Sequence, residues 1–316
     1  MHVVVIGGTG HIGSYLTPML ADAGHSVTCV CRGTKAPYCE HPAWRSISYL
    51  GIDRTAEEEA GVFGRKIAEL GADAVIDLTC YHLKSAEQLA VALRGRTGHL
   101  LHCGTIWVHG SSVSVPTMED APRRPFGDYG IRKAAIEAWL LQQAEEAELP
   151  VTILHPGHLV GPGWQPISPA GNFNPAAFAA LRRGEELRLP NFGMETVHHV
   201  HAADVARAFV LALHHRDAAL GESFHVVSGA ALTLRGYAEQ IADWFSQPAE
   251  LRFLPWEEWK QGVSTRDAAL TEDHLRHSPN CSIEKARALL GYEPRYASIE
   301  AVRESVSWLI DNGIIP

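Results

Sequence analysis

The 316-residue chain has no apolar run of roughly 18 residues or more, the length a membrane-spanning helix needs. It also has no basic leader ahead of a hydrophobic stretch at its start, so neither spanning nor secretion is expected. Its six cysteines (Cys29, Cys31, Cys39, Cys80, Cys103 and Cys281) include no C-x-x-C pair. That usage fits a reduced protein better than a disulfide scaffold, and the cytoplasm is the expected compartment. Positive charge is short as well: 27 Lys and Arg stand against 36 Asp and Glu, a formal charge of −9 that would repel a phosphate backbone, so nucleic acid is not an expected partner. No internal repeat or low-complexity tract occurs, and Ser111, Ser112 and Ser168 lack the glycine-flanked elbow of a serine hydrolase.

What is present is a globular composition, 46% hydrophobic and 20% charged, long enough for about two domains or one two-lobed unit. Residues 2 to 6 are a short apolar run bounded by Gly7-Gly8, as expected of a buried parallel strand. A helix follows from His11 on the spacing of Ile12, Tyr15, Leu16, Met19, Leu20 and Ala23, and Gly24 ends it before a strand at Ser26 to Val30. The alternation continues with strands near Ser46 to Leu50, Ala74 to Leu78, Gly98 to Cys103 and Val151 to Leu154. Helices are expected at about Ala56 to Leu70, Lys84 to Leu93 and Ile131 to Glu148. Six strands alternating with helices predict an α/β fold with a doubly wound parallel sheet. After His155 prolines and glycines crowd the chain, and a second lobe is expected there. Its expected helices are Pro175 to Arg183, Ala202 to His215, Thr233 to Phe245, Ser282 to Leu290 and Ser298 to Asn312, with a strand at Ser223 to Val227.

Gly7-Gly8-Thr9-Gly10-His11-Ile12-Gly13 stands where the first strand hands over to the first helix. Spaced glycines there let backbone N–H groups approach a pyrophosphate, and the helix N-terminus favours its charge, so the turn is a candidate dinucleotide site. After the second strand comes Cys31-Arg32-Gly33, without the acidic residue that would bind the ribose hydroxyls of NAD. Arg32, helped by Lys35, can instead pair with a 2′-phosphate, which favours NADP over NAD. Asp53 can accept from the adenine amino group or cap a helix.

Tyr129 and Lys133 are four residues apart, hence on one face of a helix start. An ammonium beside a phenol lowers its pKa from ~10 toward a range where it exchanges protons with a substrate hydroxyl. Thr105 ends the strand just upstream, at the carboxyl edge where doubly wound sheets bind ligands.

The glycine turn, the stretch Thr105 to Gly110, and Tyr129 with Lys133 resemble the extended short-chain dehydrogenase/reductase family, in its NAD-dependent epimerase/dehydratase branch. The resemblance continues through His155 to Gly163, His201 to Ala206 and Ile283 to Pro294, and so spans essentially the whole chain. It implies a Rossmann domain at 1–160, with 196–222 returning to it, and a substrate lobe from 161–195 and 223–316. Tyr129 would be the acid/base, Lys133 its pKa-lowering partner and a ribose ligand, and Thr105, in place of the more frequent Ser, the hydroxyl that orients the reacting oxygen. Gly7, Thr9, Gly10, His11, Ile12 and Gly13 would hold the cofactor. Leu78, Thr79 and Cys80 would pass beside it, with Pro156 and His158 under the nicotinamide. A homodimer through two helices is usual in similar proteins. Sugar-nucleotide epimerases carry an Arg near the position where this chain has Met194-Glu195-Thr196, and Glu195 would repel a diphosphate.

The implied activity is NAD(P)-dependent hydride transfer on a secondary alcohol or carbonyl of a sugar-like small molecule. The alternatives are a one-way NADPH-dependent reductase of a small carbonyl compound and a non-catalytic dinucleotide-sensing or nucleic-acid-binding relative. Trp107, His109, His158, Trp164, Asn172 and His198 are expected along the substrate pocket by their place in loops at the sheet's carboxyl edge. No metal site is expected: on a strand His199 and His201 share a face while His198 points away, so three ligands do not converge. Asp204 reads as a helix-start charge, and Trp256 with Trp259 as lobe packing.

Overall fold

The structure, a computed structural model, describes residues 1–146 and 149–316. Seven parallel strands form the central sheet. In chain order the first six are β1 (His2–Ile6), β2 (Ser26–Cys31), β3 (Ser48–Gly51), β4 (Ala74–Asp77), β5 (His99–Cys103) and β6 (Val151–Pro156). In space the order is β3-β2-β1-β4-β5-β6 and then Ser223–Val226, a doubly wound Rossmann-type α/β sheet whose direction of winding reverses between β1 and β4.

β1 is apolar at successive positions because both faces of the sheet are covered. Val3 and Val5 enter the core under α1 (His11–Asp22) and helix Ala202–His214, where Leu16, Leu20, Val205 and Phe209 meet them. Val4 and Ile6 enter the opposite core, built from α3 (Phe63–Ala68), α4 (Leu83–Leu93) and α5 (Gly127–Glu145). The helix expected over Ala56 to Leu70 is two helices, α2 (Arg54–Glu59) and α3. The chain reverses at Gly61, whose φ of +69° suits glycine, with the Gly61 and Val62 amides bonded back to Glu58 and Glu57 carbonyls. α5 begins at Gly127 rather than Ile131, so Tyr129 lies in its first turn. The end expected at Glu148 lies outside the described residues.

The strand expected at Ser223 to Val227 in the second lobe is instead the seventh strand of the main sheet, paired with β6 from Ser223↔Ile153 to Val226↔Pro156. Phe224 and Val226 are fully buried in the same core as α1. Helix Glu284–Leu290 closes this edge, with Lys285 Nζ donating to the Ser223 carbonyl at 2.9 Å. A lone strand in the sequence does not reveal which sheet it joins, because its partner β6 is about seventy residues away.

A third core gathers Phe178, Leu189, Tyr237, Trp259 and Val302 from helices Ala176–Arg183, Leu234–Trp244 and Ser298–Asp311 and from the paired strands Leu187–Pro190 and Leu251–Leu254. Trp259 donates to the Arg188 carbonyl at 2.9 Å and stacks with Trp256, so this pair serves packing. Asp204 accepts from the amides of Arg295 and Tyr296, tying its helix to the C-terminal segment. Among the described residues no helix is long and apolar enough to cross a membrane.

Gly64 lets α3 lie against α4: a Cβ there would stand 2.4 Å from the Gln88 carbonyl oxygen. Gly64→Ala is expected to lose about 1–3 kcal/mol of stability through overpacking, read as a lower urea midpoint; an unchanged midpoint would mean that the two helices yield freely.

Candidate active site

The glycine turn is built by exclusion of Cβ atoms. Gly7 has φ +84°, and a Cβ on Gly13 would stand 2.4 Å from the Gly7 carbonyl oxygen. α1 therefore starts hard against the end of β1. Gly10 is its N-cap and supplies no side-chain bond, which leaves the helix N-terminus open to an anion. Pro18 inside α1 has no N–H to give the Ser14 carbonyl. The Cys39 thiol donates to that carbonyl at 2.9 Å, and the Tyr38 amide donates to Ser14 Oγ at 2.9 Å. The loop after β2 is thus fastened to the helix of the turn.

A cavity of about 480 Å³ opens over this turn at the carboxyl ends of β1, β2 and β4. Gly7, Thr9, Gly10, His11, Ile12, Gly13, Arg32, Asp53, Leu78 and Thr79 stand on its wall. Arg32 and Lys35 face it with no ion pair among the described residues. Asp53 also lines it, and its Oδ1 caps α2 by accepting from the Thr55 and Ala56 amides at 3.0 and 3.3 Å. Trp164, expected beside the substrate, stacks on His11 with ring centroids 4.8 Å apart and closes this cavity instead.

Arg54 escaped the sequence reading. It donates to Asp77 at 2.6 Å and to Glu58 at 2.6 Å, lies over the Phe63 ring, and lines the cavity with one buried guanidinium nitrogen, Nη2, unpartnered. Although burial opposes it, this guanidinium holds the Asp77 carboxyl below its usual range. The uncapped helix, the cradle that a Cβ would fill, the orphaned Nη2 and the side chains of Arg32 and Lys35 together fit a dinucleotide.

Cys80, Lys133, Pro156 and His158 are not on that wall; the wall ends at Tyr81 and Leu159. Lys133 reaches inward from α5 and donates to the Cys80 and Cys103 carbonyls at 2.8 and 2.7 Å, with its ammonium 5.0 Å from the centre of the Tyr81 ring. Burial lowers its pKa. The phenol of Tyr129 is shifted up, first by burial and then by Cys103, while a hydrogen bond with Thr105 works the other way. The ammonium of Lys133 is thus tied to backbone carbonyls, and the influence that works to lower the phenol is the Thr105 side chain rather than Lys133. Thr105 is buried and caps a short 3-10 turn, its Oγ1 accepting from the Trp107 amide at 3.3 Å.

Around Tyr129 lies a box of rings. Trp107 is edge-on to Tyr129 and His158, with centroids 6.0 and 6.1 Å apart, and stacks on His277 at 3.9 Å. His158 lies 5.3 Å from His274, and both of its ring nitrogens are unpartnered. Burial, with the neighbouring histidines, keeps it far below the usual imidazole range. His274 and His277 belong to helix Thr265–His277, which hydrophobic periodicity did not reveal. Its start was legible: Ser264 is followed three residues later by Asp267, and the Ser264 hydroxyl accepts from the Asp267 amide.

Other expected pocket residues go elsewhere. His198 is fully buried, with Nε2 on the Ser228 carbonyl at 2.8 Å and Nδ1 accepting from the Cys281 amide at 3.1 Å, so it is a structural residue. His109 pairs with His225 at 2.8 Å inside the protein. Asn172 donates to Thr271 at 2.9 Å and lines a separate cavity of about 690 Å³ with Leu187 and Trp259. His199 packs on Tyr237, and His201 meets Glu304 at 3.1 Å, so the three histidines of residues 198–201 diverge. Among the described residues one trio of possible ligands converges: Asp77, Cys80 and His102 hold ligand atoms within 4.8 Å of one another. Arg54 already pairs with Asp77, and the Lys133 charge acts on His102; two cations stand where a metal ion would add a third charge.

With this fold and this site, the chain belongs to the NAD dependent epimerase/dehydratase family, whose family model matches residues 3–226. It is 26% identical to the dTDP-6-deoxy-L-talose 4-dehydrogenase (NAD(P)(+)) of Kitasatospora kifunensis, over 96% of this chain and 93% of that one. It is 24% identical to the chloroplast stem-loop binding protein of 41 kDa b of Arabidopsis thaliana, over 96% of this chain and 78% of that one. Its fold matches that of a UDP-glucose 4-epimerase from Thermotoga maritima solved with UDP-glucose, at a TM-score of 0.74 and 21% identity over 99% of both chains.

Burial lowers the pKa of His11, His102 and His199 to about 3 and of His198 to about 4. An unfolded histidine titrates near ~6.5, so unfolding takes up protons below that pH. Stability present above pH ~6.5 is lost as pH falls toward the folded values, by about 1.4 kcal/mol per unit for each histidine. Urea unfolding is expected to show a clearly lower midpoint at pH 5 than at pH 7; equal midpoints would contradict neutral burial.

Proposed function

We propose that the protein is an NAD(P)-dependent oxidoreductase or epimerase that moves hydride between its cofactor and a secondary alcohol or carbonyl of a sugar-like substrate. The observation that carries this reading is the Tyr129 phenol, in the first turn of α5 four residues before Lys133 and edge-on to Trp107 of the Thr105 turn, at the carboxyl edge that also bears the glycine turn. The bound nicotinamide would supply or accept the hydride. Gly7 to Gly13 with the N-terminus of α1 would hold the pyrophosphate, and Arg54 would edge the same cavity.

A phenol whose pKa is raised by burial is protonated at neutral pH, so Tyr129 rests in the form that donates a proton to a carbonyl oxygen. The phenolate left by that donation is the form that takes the proton back from the alcohol when, in the reverse direction, hydride leaves carbon. Thr105 Oγ1 accepts from the Trp107 amide, which directs its own proton outward, toward Tyr129 and the reacting oxygen. The sugar-like substrate is supported by the sugar nucleotides named for the relatives. Arg32 and Lys35, which have no ion-pair partner among the described residues, support NADP over NAD.

Tyr129→Phe is expected to abolish turnover, read at the reduced-nicotinamide absorbance with keto-sugars and sugar nucleotides, while cofactor affinity by calorimetry changes little. The similarity to a stem-loop binding protein favours a second reading, a non-catalytic dinucleotide-sensing or nucleic-acid-binding protein; a wild-type chain that binds cofactor or a stem-loop RNA and turns over none of these compounds would select it. Arg32→Ala is expected to weaken NADP binding about tenfold, the loss of a charge-assisted pair, and to leave NAD binding unchanged; a retained NADP preference would show that Arg32 is not the discriminating residue.

A further inference from the structure

α5 carries Tyr129, Lys133 and Glu137 at four-residue intervals, hence along one face. Glu137 is buried, and its carboxylate is held from two sides. Arg123 donates to both oxygens, at 2.6 and 3.2 Å, and the His155 ring lies 2.9 Å away through Nε2. On the other side of that ring, Nδ1 accepts from the Thr105 backbone amide at 2.9 Å. An amide N–H can only donate, so Nδ1 is the bare nitrogen and the ring proton sits on Nε2, pointing at Glu137. The ring is seated so closely that a Cβ on Gly104 would lie 2.3 Å from Nδ1. Position 104 must be glycine for the turn to reach the ring.

We propose that Glu137 and His155 are positioning residues: together they tie the Thr105 turn to the helix that carries Tyr129, so that the two hydroxyls meeting the reacting oxygen keep one fixed spacing. The proposal rests on the roles given above to Tyr129 and Thr105. Glu137 selects the tautomer of His155, the tautomer selects whether Thr105 has an acceptor for its amide, and that bond sets where the Thr105 hydroxyl stands. A buried glutamate serving only packing would lower stability when replaced but would not change the exchange of the Thr105 amide, two residues along this chain of bonds.

The test uses the full chain loaded with NADP. Nitrogen-15 NMR of the imidazoles, with His155→Asn to assign the signal, is expected to show His155 as the neutral Nε2–H tautomer. The Thr105 amide is expected to exchange slowly with solvent. Glu137→Gln keeps an acceptor oxygen and is expected to preserve both signals; Glu137→Leu is expected to lose the tautomer preference and speed Thr105 exchange at least tenfold. On the substrate used for Tyr129→Phe, Glu137→Leu is expected to lower kcat about tenfold to a hundredfold, the cost of misplacing a reacting group by about 1 Å. Its KM for cofactor should stay within about twofold, with recovery in Glu137→Gln. An Nδ1–H tautomer in the wild type overturns the proposal. So does unchanged Thr105 exchange in Glu137→Leu or, should that variant not fold, a shifted tautomer in Glu137→Gln. Full kcat in Glu137→Leu with none in Tyr129→Phe overturns the positioning role alone; full kcat in both overturns the reading of Tyr129, while the NMR result stands apart from either.

Discussion

The contact on which the site depends is the one between Gly13 and the carbonyl of Gly7. Because neither residue has a Cβ, the first turn of α1 rests directly on the end of β1, and the uncapped helix terminus opens into the cavity at the sheet's switch point. Fixing that point fixes the rest of the edge. Thr17 bonds back to the Gly8 carbonyl, Tyr38 and Cys39 are fastened to Ser14, and Thr79 comes within reach of Gly7. The cavity wall is thereby drawn from three separate strand ends that the chain visits in turn.

Deeper in the same edge, burial rather than charge pairing sets the protonation states. The ammonium of Lys133 is taken up by two backbone carbonyls, and the phenol of Tyr129 is left neutral beside a threonine hydroxyl. The histidines packed between the sheet and the second lobe are held neutral by desolvation. A neutral imidazole is at once a donor and an acceptor, and this protein uses both ends: His198 joins Ser228 to Cys281, and His155 joins Glu137 to Thr105. Other buried histidines are not braced in this way: both ring nitrogens of His11 and His158 have no hydrogen-bond partner among the described residues.

The sequence made most of the first 150 residues legible, because each buried strand there is a short apolar run and helices α1, α4 and α5 each bury an apolar stripe. It was less informative where an element's meaning depends on a distant partner. Ser223–Val226 reads equally well as a strand of either lobe until β6 is placed beside it. Helix Thr265–His277 has a polar sequence with only a few inward positions, Thr271, His274 and His277, so its periodicity is faint and its cap was the better signal. Arg54 looked like one more surface charge because its partner Asp77 lies twenty-three residues on.

By itself the sequence determined the doubly wound sheet, the glycine turn and the shared helix face of Tyr129 and Lys133, since each follows from spacing within a few neighbouring residues. Only the tertiary structure decided that Lys133 bonds to backbone, that Trp164 lines the cavity over the glycine turn, and that His198 is structural while His274 and His277 join the ring box. Those outcomes are set by burial and by the partners that distant segments bring, and desolvation of a side chain exists only once the chain has closed around it.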